Sequence, residues 1–353
     1  MNLNKLGWHT DFEEAFTGYR KEGLTVGRVA LEHKGSYQVF AEYGSLRAEI
    51  SGKYHYQAET REDFPAVGDW VVISLRPEMN QAMIHAVLSR KSKFSRKSAG
   101  VKSDEQIVAA NVDTVFLVMA LNHDFNIRRI ERYLVMAWES GANPVIILSK
   151  ADLCDDTDEK VSDVESVALG VPIHVISVVD ETGFDGLTQY LDEGQTIALL
   201  GSSGVGKSTL INHLYGEAVQ HVQDTRLGDD KGRHTTTHRE MILLPSGGVL
   251  IDTPGMRELQ LWDSIDGIDH SFSDIEALAR ECKFNDCRHD SEPGCAVKAA
   301  IKDGQLDQGR YDSYVKLQRE LAFLQRKNDK KAQLEEKKKW KKIAGDRTRF
   351  HRR

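Results

Sequence analysis

Residues 196–208 constrain the fold more than any other stretch of the chain. The apolar run Thr196 to Leu200 leads straight into Gly201-Ser202-Ser203-Gly204-Val205-Gly206-Lys207-Ser208, and a helix is expected from Gly206 to Leu214. A glycine-rich turn between a buried strand and a helix N-terminus lets backbone N–H groups wrap an anion. Every fixed position of a phosphate loop is met here. Lys207 balances β- and γ-phosphate charge, Ser208 offers a hydroxyl to Mg²⁺, and Thr209 extends the candidate contacts. A bare glycine-rich turn is the competing reading, and the flanking strand and helix weigh against it. Taken alone, the loop specifies a nucleoside triphosphate and leaves the base open.

The surroundings supply the sheet that such a loop requires. Strands are expected at Val112 to Ala120, Pro144 to Leu148, Ile173 to Val178, Thr196 to Leu200, Glu240 to Leu244 and Gly248 to Ile251, with a helix from Ile127 to Ser140. Strands separated by helices predict a doubly wound α/β sheet covered on both faces. Ligands of such sheets bind beyond the carboxyl ends of the strands. Two further motifs fall at such ends. Ser149-Lys150-Ala151-Asp152 resembles the Asn-Lys-x-Asp guanine motif, with Ser149 in place of asparagine, Lys150 along the base and Asp152 accepting from the ring and exocyclic nitrogens. Asp252-Thr253-Pro254-Gly255 resembles Asp-x-x-Gly, in which Asp252 reaches magnesium through water and the Gly255 N–H reads the γ-phosphate. Ser177 resembles the position of a fifth motif, whose backbone would back the guanine. Gly232-Arg233-His234-Thr235-Thr236-Thr237 has the look of a switch loop, and Thr237 is favoured as the threonine that closes on Mg²⁺.

The order of these motifs is unusual. The guanine pair comes first and the phosphate loop third, so the nucleotide domain is expected to be circularly permuted. In that arrangement the switch strands end the domain and need another module to hold them.

On either side the pattern changes. Short β-rich runs at Thr25 to Val29, Tyr37 to Phe40, Leu46 to Ile50, Trp70 to Ile73 and Ala82 to Leu88 read as a small OB-like barrel. Ser89 to Ser103, rich in Lys, Arg and Ser, reads as a solvated linker. Beyond Leu261 the chain is polar and helix-prone, with Cys282, Cys287, His289 and Cys295 close together. Three thiols and an imidazole suit a closed, tetrahedral structural zinc site; a disulfide or a buried thiol cluster is the competing reading. Cys154 stands apart. The predicted domains are therefore 1–103, 104–262 and 263–353.

Net charge is −7, but residues 326–353 carry 13 Lys and Arg against 4 Asp and Glu. A basic tail on an acidic body suits an RNA partner, with Trp340 and Phe350 available to stack; a solvated charge run is the alternative. No apolar run is long enough to cross a bilayer, and the first dozen residues lack a continuous apolar stretch, so a cytoplasmic address without a membrane partner is expected.

Phosphate loop, permuted order, leading barrel and Cys-x4-Cys-x-His-x5-Cys together resemble the RsgA (YjeQ) family of ribosome-assembly GTPases over nearly the whole chain. The resemblance implies GTP turnover to GDP with Mg²⁺, a zinc-bearing helical domain, and late maturation of the small ribosomal subunit, whose rRNA it contacts and which stimulates hydrolysis. Met256 stands where Ras-like enzymes carry a water-orienting glutamine, so catalytic help must come from elsewhere. His234, beside the switch threonines, is the candidate the resemblance also favours, with Lys207 and Thr237 completing the catalytic set; a surface histidine without a role is the alternative. The expectation is a monomeric GTPase. A nucleotide-gated rRNA-binding scaffold with little hydrolysis, and an ATPase, are the rivals.

Overall fold

The computed structural model describes residues 1–33, 35–76, 80–97, 105–216, 240–252, 266–290, 292–323 and 326. It divides into two compact units, Met1–Gln260 and Leu261–Arg353.

The first unit begins with helix α1 (Thr10–Arg20) and five strands, β1 (Thr25–His33), β2 (Ser36–Ala41), β3 (Gly44–Ile50), β4 (Trp70–Arg76) and β5 (Gln81–Val87). Their order, β1-β2-β3-β5-β4 with β4 returning to pair with β1, closes a barrel. Only the β3–β5 pairing is parallel. Alternation along each strand fills the interior with Val29, Val39, Ala48, Val71, Ile73 and Ile84, all fully buried. Between β3 and β4 lies the short helix α2 (Gly52–Gln57), capped by Ser51, whose hydroxyl accepts from the Tyr54 N–H. Helix α1, for which the sequence offers only weak apolar spacing, lays Phe12 and Phe16 onto Trp70, and Trp8 meets the same indole edge-on at 4.7 Å.

Ser89 to Ser103 departs from the linker expectation. Strand β6 (Lys93–Lys97) pairs antiparallel with β7 (Glu105–Ala110), and Phe94 is buried. Arg90 forms a bidentate pair with Asp69 at 2.8 and 2.7 Å. The Lys and Arg content suggested solvation, yet the acids that hold these cations come from distant positions, which composition does not reveal.

The nucleotide-type sheet contains β8 (Thr114–Ala120), β9 (Asn143–Ser149), β10 (Ile173–Val175), β11 (Thr196–Leu200), β12 (Glu240–Leu243) and β13 (Val249–Asp252). The order is β10-β9-β8-β11-β13-β12, parallel throughout except for β12. Strand β8 is buried at all seven positions, which explains its uninterrupted apolar run. Helix α3 (Ile127–Ser140) is capped by Asn126, whose side chain accepts from the Arg129 N–H, and ends at Gly141 with φ +85. It packs on β8 and β9, with α4 (Thr157–Val167) beside it. Helix α5 (Lys207–Tyr215) buries Leu210 and Ile211 against Phe116, Val118, Ile147 and Leu199. Strand β10 stops earlier than predicted, because Ser177 turns out of the sheet to bridge Thr182.

A strand pairing and a buried arginine join barrel and sheet. Leu31 of β1 pairs with Glu240 of β12, making one continuous ladder. Arg28 is 1% exposed and donates to the carbonyls of Leu6, Gly68 (3.0 Å) and Asn111 (2.9 Å) and to Thr196 Oγ1 (2.8 Å). Burial brings its pKa down to about 10, so the guanidinium stays charged at neutral pH. One side chain thus joins the N-terminal segment, the barrel, the end of β7 and the first residue of the strand that leads to the phosphate loop.

The second unit contains α6 (Asp266–Ser271), α7 (Ser273–Arg280), α8 (Ala296–Lys302) and a helix over residues 308–323. Phe272, Ile275, Val297, Leu306, Tyr314, Leu317 and Leu321 are buried here. Arg310 grips Asp274 with two 2.7 Å bonds and lies 4.8 Å over the Phe272 ring. Among the described residues no helix is long and apolar enough to cross a membrane.

Candidate nucleotide and metal sites

Parallel pairing puts the carboxyl ends of β8, β9, β10, β11 and β13 on one edge. The chain runs outward through β8, β9 and β10 and then returns to β11 on the other side of β8, so the β8/β11 boundary is the topological switch point where ligands of such sheets sit. The phosphate loop leaves β11 there.

All three glycines of the loop are sterically required. A Cβ on Gly201 would lie 2.4 Å from the Val118 carbonyl, Gly204 holds φ +77, and Gly206 caps α5 with φ +91. Lys207 Nζ donates to the carbonyls of Gly201 (2.8 Å) and Ser202 (2.6 Å). Ser202, Ser203, Ser208 and Thr209 are half-buried around the turn, Gly204 is exposed, and Val205 is buried.

The guanine-type loop touches this turn directly. Ser149, the last residue of β9, points its hydroxyl at the Val205 carbonyl (2.7 Å), with the Met119 carbonyl at 3.3 Å. An asparagine carboxamide at this position would brace the loop, and here the Ser149 hydroxyl supplies that brace. Lys150 follows with φ +59, a left-handed conformation that is costly for lysine and that turns Ala151 and Asp152 away from the strand. Ala151 N–H donates to the Ile176 carbonyl (3.2 Å), and Asp152 Oδ1 accepts from Ser177 Oγ (2.8 Å). Ser177 Oγ in turn accepts from the Asp180 N–H at 3.0 Å. The side chain of Ser177, expected to contribute through its backbone, orients the exposed carboxylate of Asp152. Asp252 is the final residue of β13, on the same edge. His234, Thr235, Thr236, Thr237, Gly255 and Met256 lie outside the described residues, as does the basic tail from residue 327 onward.

Sequence reasoning missed two residues beside the phosphate loop. Asp124 and Arg129, from the turn after β8 and the first turn of α3, both reach Ser202, with Ser202 Oγ 2.7 Å from Asp124 Oδ2 and 3.0 Å from Arg129 Nη1. No motif marks them; their position after a central strand at the switch point was the available signal.

In the second unit Cys282 follows α7, Cys287 and His289 sit in the loop, and Cys295 caps α8. Their ligand atoms all lie within 4.8 Å of one another. Cys282 Sγ is 3.9 Å from Cys295 Sγ and 3.6 Å from His289 Nδ1, which is 3.4 Å from Cys295 Sγ. Tetrahedral zinc with Zn–S near 2.3 Å separates its sulfurs by about 3.8 Å, so the donor set fits zinc in kind and spacing. Burial opposes the Cys282 thiolate, but hydrogen bonds from the Val297 and Ala296 N–H groups and from the Cys287 and Cys295 thiols together hold the thiol below its usual range. His289 adopts φ +57, and its carbonyl accepts from Tyr311 OH at 3.2 Å, which ties the loop to the 308–323 helix.

A family model described as RsgA GTPase matches residues 87–262. The chain is 47% identical over 351 residues to "Small ribosomal subunit biogenesis GTPase RsgA 1" of Oceanobacillus iheyensis, covering 98% of both chains. It is 46% identical to the RsgA of Opitutus terrae, covering 97% and 96%. Among solved structures it is similar to YjeQ from Thermotoga maritima, with TM-score 0.64 and 30% identity over 85% of this chain and 99% of that one. YloQ, described as a circularly permuted GTPase, gives TM-score 0.60 and 26% identity over 85% and 95%.

Proposed function

This chain belongs to the RsgA GTPase family, and we propose that it hydrolyses GTP to GDP and phosphate during late maturation of the small ribosomal subunit, with turnover stimulated by that subunit. The observation that carries this reading is the 2.7 Å contact from Ser149 to Val205, which joins the guanine-type loop to the phosphate loop so that one nucleotide can span both. In this reading the amides of Gly201 to Ser208 wrap the phosphates, Lys207 faces the β- and γ-oxygens, and Asp152, held by Ser177, selects guanine. Ser208 and Asp252 would hold magnesium, which supplies charge neutralisation on the phosphates. Gly255, Thr237 and His234 complete the site, His234 orienting the attacking water in place of the missing glutamine. Cys282, Cys287, His289 and Cys295 carry structural zinc.

The working arrangement is a barrel over 1–103, a permuted nucleotide domain over 104–262 and a helical domain over 263–353, acting as a cytoplasmic monomer whose basic tail meets rRNA phosphates. Phosphate release measured with and without purified small subunits tests the reading. Stimulation is expected; no stimulation at saturating subunit removes the enzyme reading in favour of the nucleotide-gated scaffold. Competition by ATP equal to that of GTP would instead indicate an ATPase.

A further inference from the structure

Helix α3 opens with two arginines and has no acidic residue in its first turn. Cations are disfavoured at the positive end of a helix dipole, so each needs a local reason to be there. Arg128 finds Glu131 one turn on, at 2.8 Å. Arg129 turns back instead. Its Nη1 lies 2.7 Å from Asp124 Oδ2 and 3.0 Å from Ser202 Oγ, while the Ser202 hydroxyl donates to the same carboxylate oxygen at 2.7 Å. Three groups close a ring in which the serine both donates and accepts. The turn that presents Asp124 is itself fixed, since Asn122 Oδ1 accepts the Asp124 N–H at 3.0 Å. Although burial works against the carboxylate, Arg129 and Ser202 hold Asp124 below its usual range, so the ring is charged at neutral pH.

Ser202 is also the residue on which Lys207 rests. An ammonium has three donors, and Lys207 directs two of them at the carbonyls of Gly201 and Ser202. Where Ser202 sits therefore decides where that ammonium points.

We propose that Asp124 and Arg129 are positioning residues for the nucleotide, fixing Ser202 from its side-chain side so that Lys207 is aimed at the β- and γ-phosphates before they arrive. The inference rests on the GTPase reading above and assigns to that site a contribution from the turn after β8. Because the effect passes through Lys207, it acts on phosphates beyond the first and spares the base.

The test uses the full-length protein with Ser202→Ala, Arg129→Gln, Arg129→Lys and the Ser202→Ala/Arg129→Gln double variant. GDP and GMP affinities are measured by competition against a fluorescent GDP, together with kcat/KM for GTP and the nucleotide-free melting temperature. Losing a hydrogen bond to a charged group predicts about tenfold weaker GDP binding for Ser202→Ala and Arg129→Gln, against less than about twofold for GMP. The double variant should bind GDP no more weakly than either single, because both changes open one ring. Arg129→Lys should recover part of the loss. Equal loss for GDP and GMP, additive losses, or a lower melting temperature with GDP affinity intact would each overturn the proposal. Ser202→Ala removes only a hydroxyl and keeps the test open if an arginine variant fails to fold. Wild-type protein that binds neither GDP nor GTP would overturn the functional reading itself, a result distinct from all of these.

Discussion

Replacing Arg28 by methionine keeps an unbranched apolar stem and deletes the guanidinium. Four acceptors lose a donor: the carbonyls of Leu6, Gly68 and Asn111, and Thr196 Oγ1. The Gly68 carbonyl retains Asn111 Nδ2 at 3.1 Å, which leaves three without this partner. At about 1–2 kcal/mol for each of these three buried acceptors, less about 1 kcal/mol regained by burying an apolar tip, the net cost is about 2–5 kcal/mol. For a unit of this size the melting temperature should fall by roughly 4–20 °C. Urea unfolding followed by tryptophan fluorescence is a suitable assay, because Trp70 lies 5.8 Å from the guanidinium and packs edge-on against Trp8. Arg28→Lys should fall between the two, since an ammonium cannot reproduce the planar fork. A methionine variant within about 1 kcal/mol of wild type would refute the inference that this cation holds barrel and sheet together.

Lys207→Ala should abolish GDP and GTP binding while leaving the melting temperature of the nucleotide-free protein within a few degrees, as checked by calorimetry with and without nucleotide. Asp152→Ala should reduce the preference for GTP over ATP by at least about tenfold, the loss of a charged hydrogen-bond acceptor; an unchanged preference would remove Asp152 from base selection. Cys295→Ser, or a strong chelator, should release about one zinc per chain by elemental analysis and lower helical circular dichroism, because structural zinc supplies about 10–16 kcal/mol of folding free energy. Burial lowers the pKa of both His9 and His174 from the ordinary 6.5. Below 6.5 the unfolded chain therefore binds protons that the folded chain does not, so stability should hold above about pH 7 and decline as pH falls through 6.5. His174→Gln should flatten part of that decline, and an equally steep profile would exclude this histidine as a contributor.

How much of this was legible in the sequence depended on whether the signal was local. The apolar run Val115 to Met119, short and rich in β-branched and aromatic side chains, marks a buried central strand, and a phosphate loop carries its own strand and helix with it. The OB-like barrel was readable because each strand alternates by itself and turn residues punctuate the series. What escaped was non-local. Strand β6 hides Phe94 among lysines and serines, and only its pairing with β7 and the Arg90–Asp69 contact make it structure. Arg28 reads as an ordinary surface cation between Gly27 and Val29, yet its acceptors are spread from Leu6 to Thr196. Asp124 and Arg129 belong to no motif. Ser177 was placed by its position after a strand, but the contact that defines it, with Asp152, joins residues 25 apart.

The serine at position 149 has one further consequence. A carboxamide carries two donors and an acceptor, enough to hold a loop and greet a ligand together; a hydroxyl has a single hydrogen to give. At Ser149 that hydrogen faces main chain, 2.7 Å from Val205. In the proposed site, then, scaffolding and recognition are divided between separate side chains, and the choice of base falls to the Asp152–Ser177 couple. Ser149→Asn is expected to tighten hold on GDP and leave the ranking of purines where it stands, as competition of GTP against ATP would read.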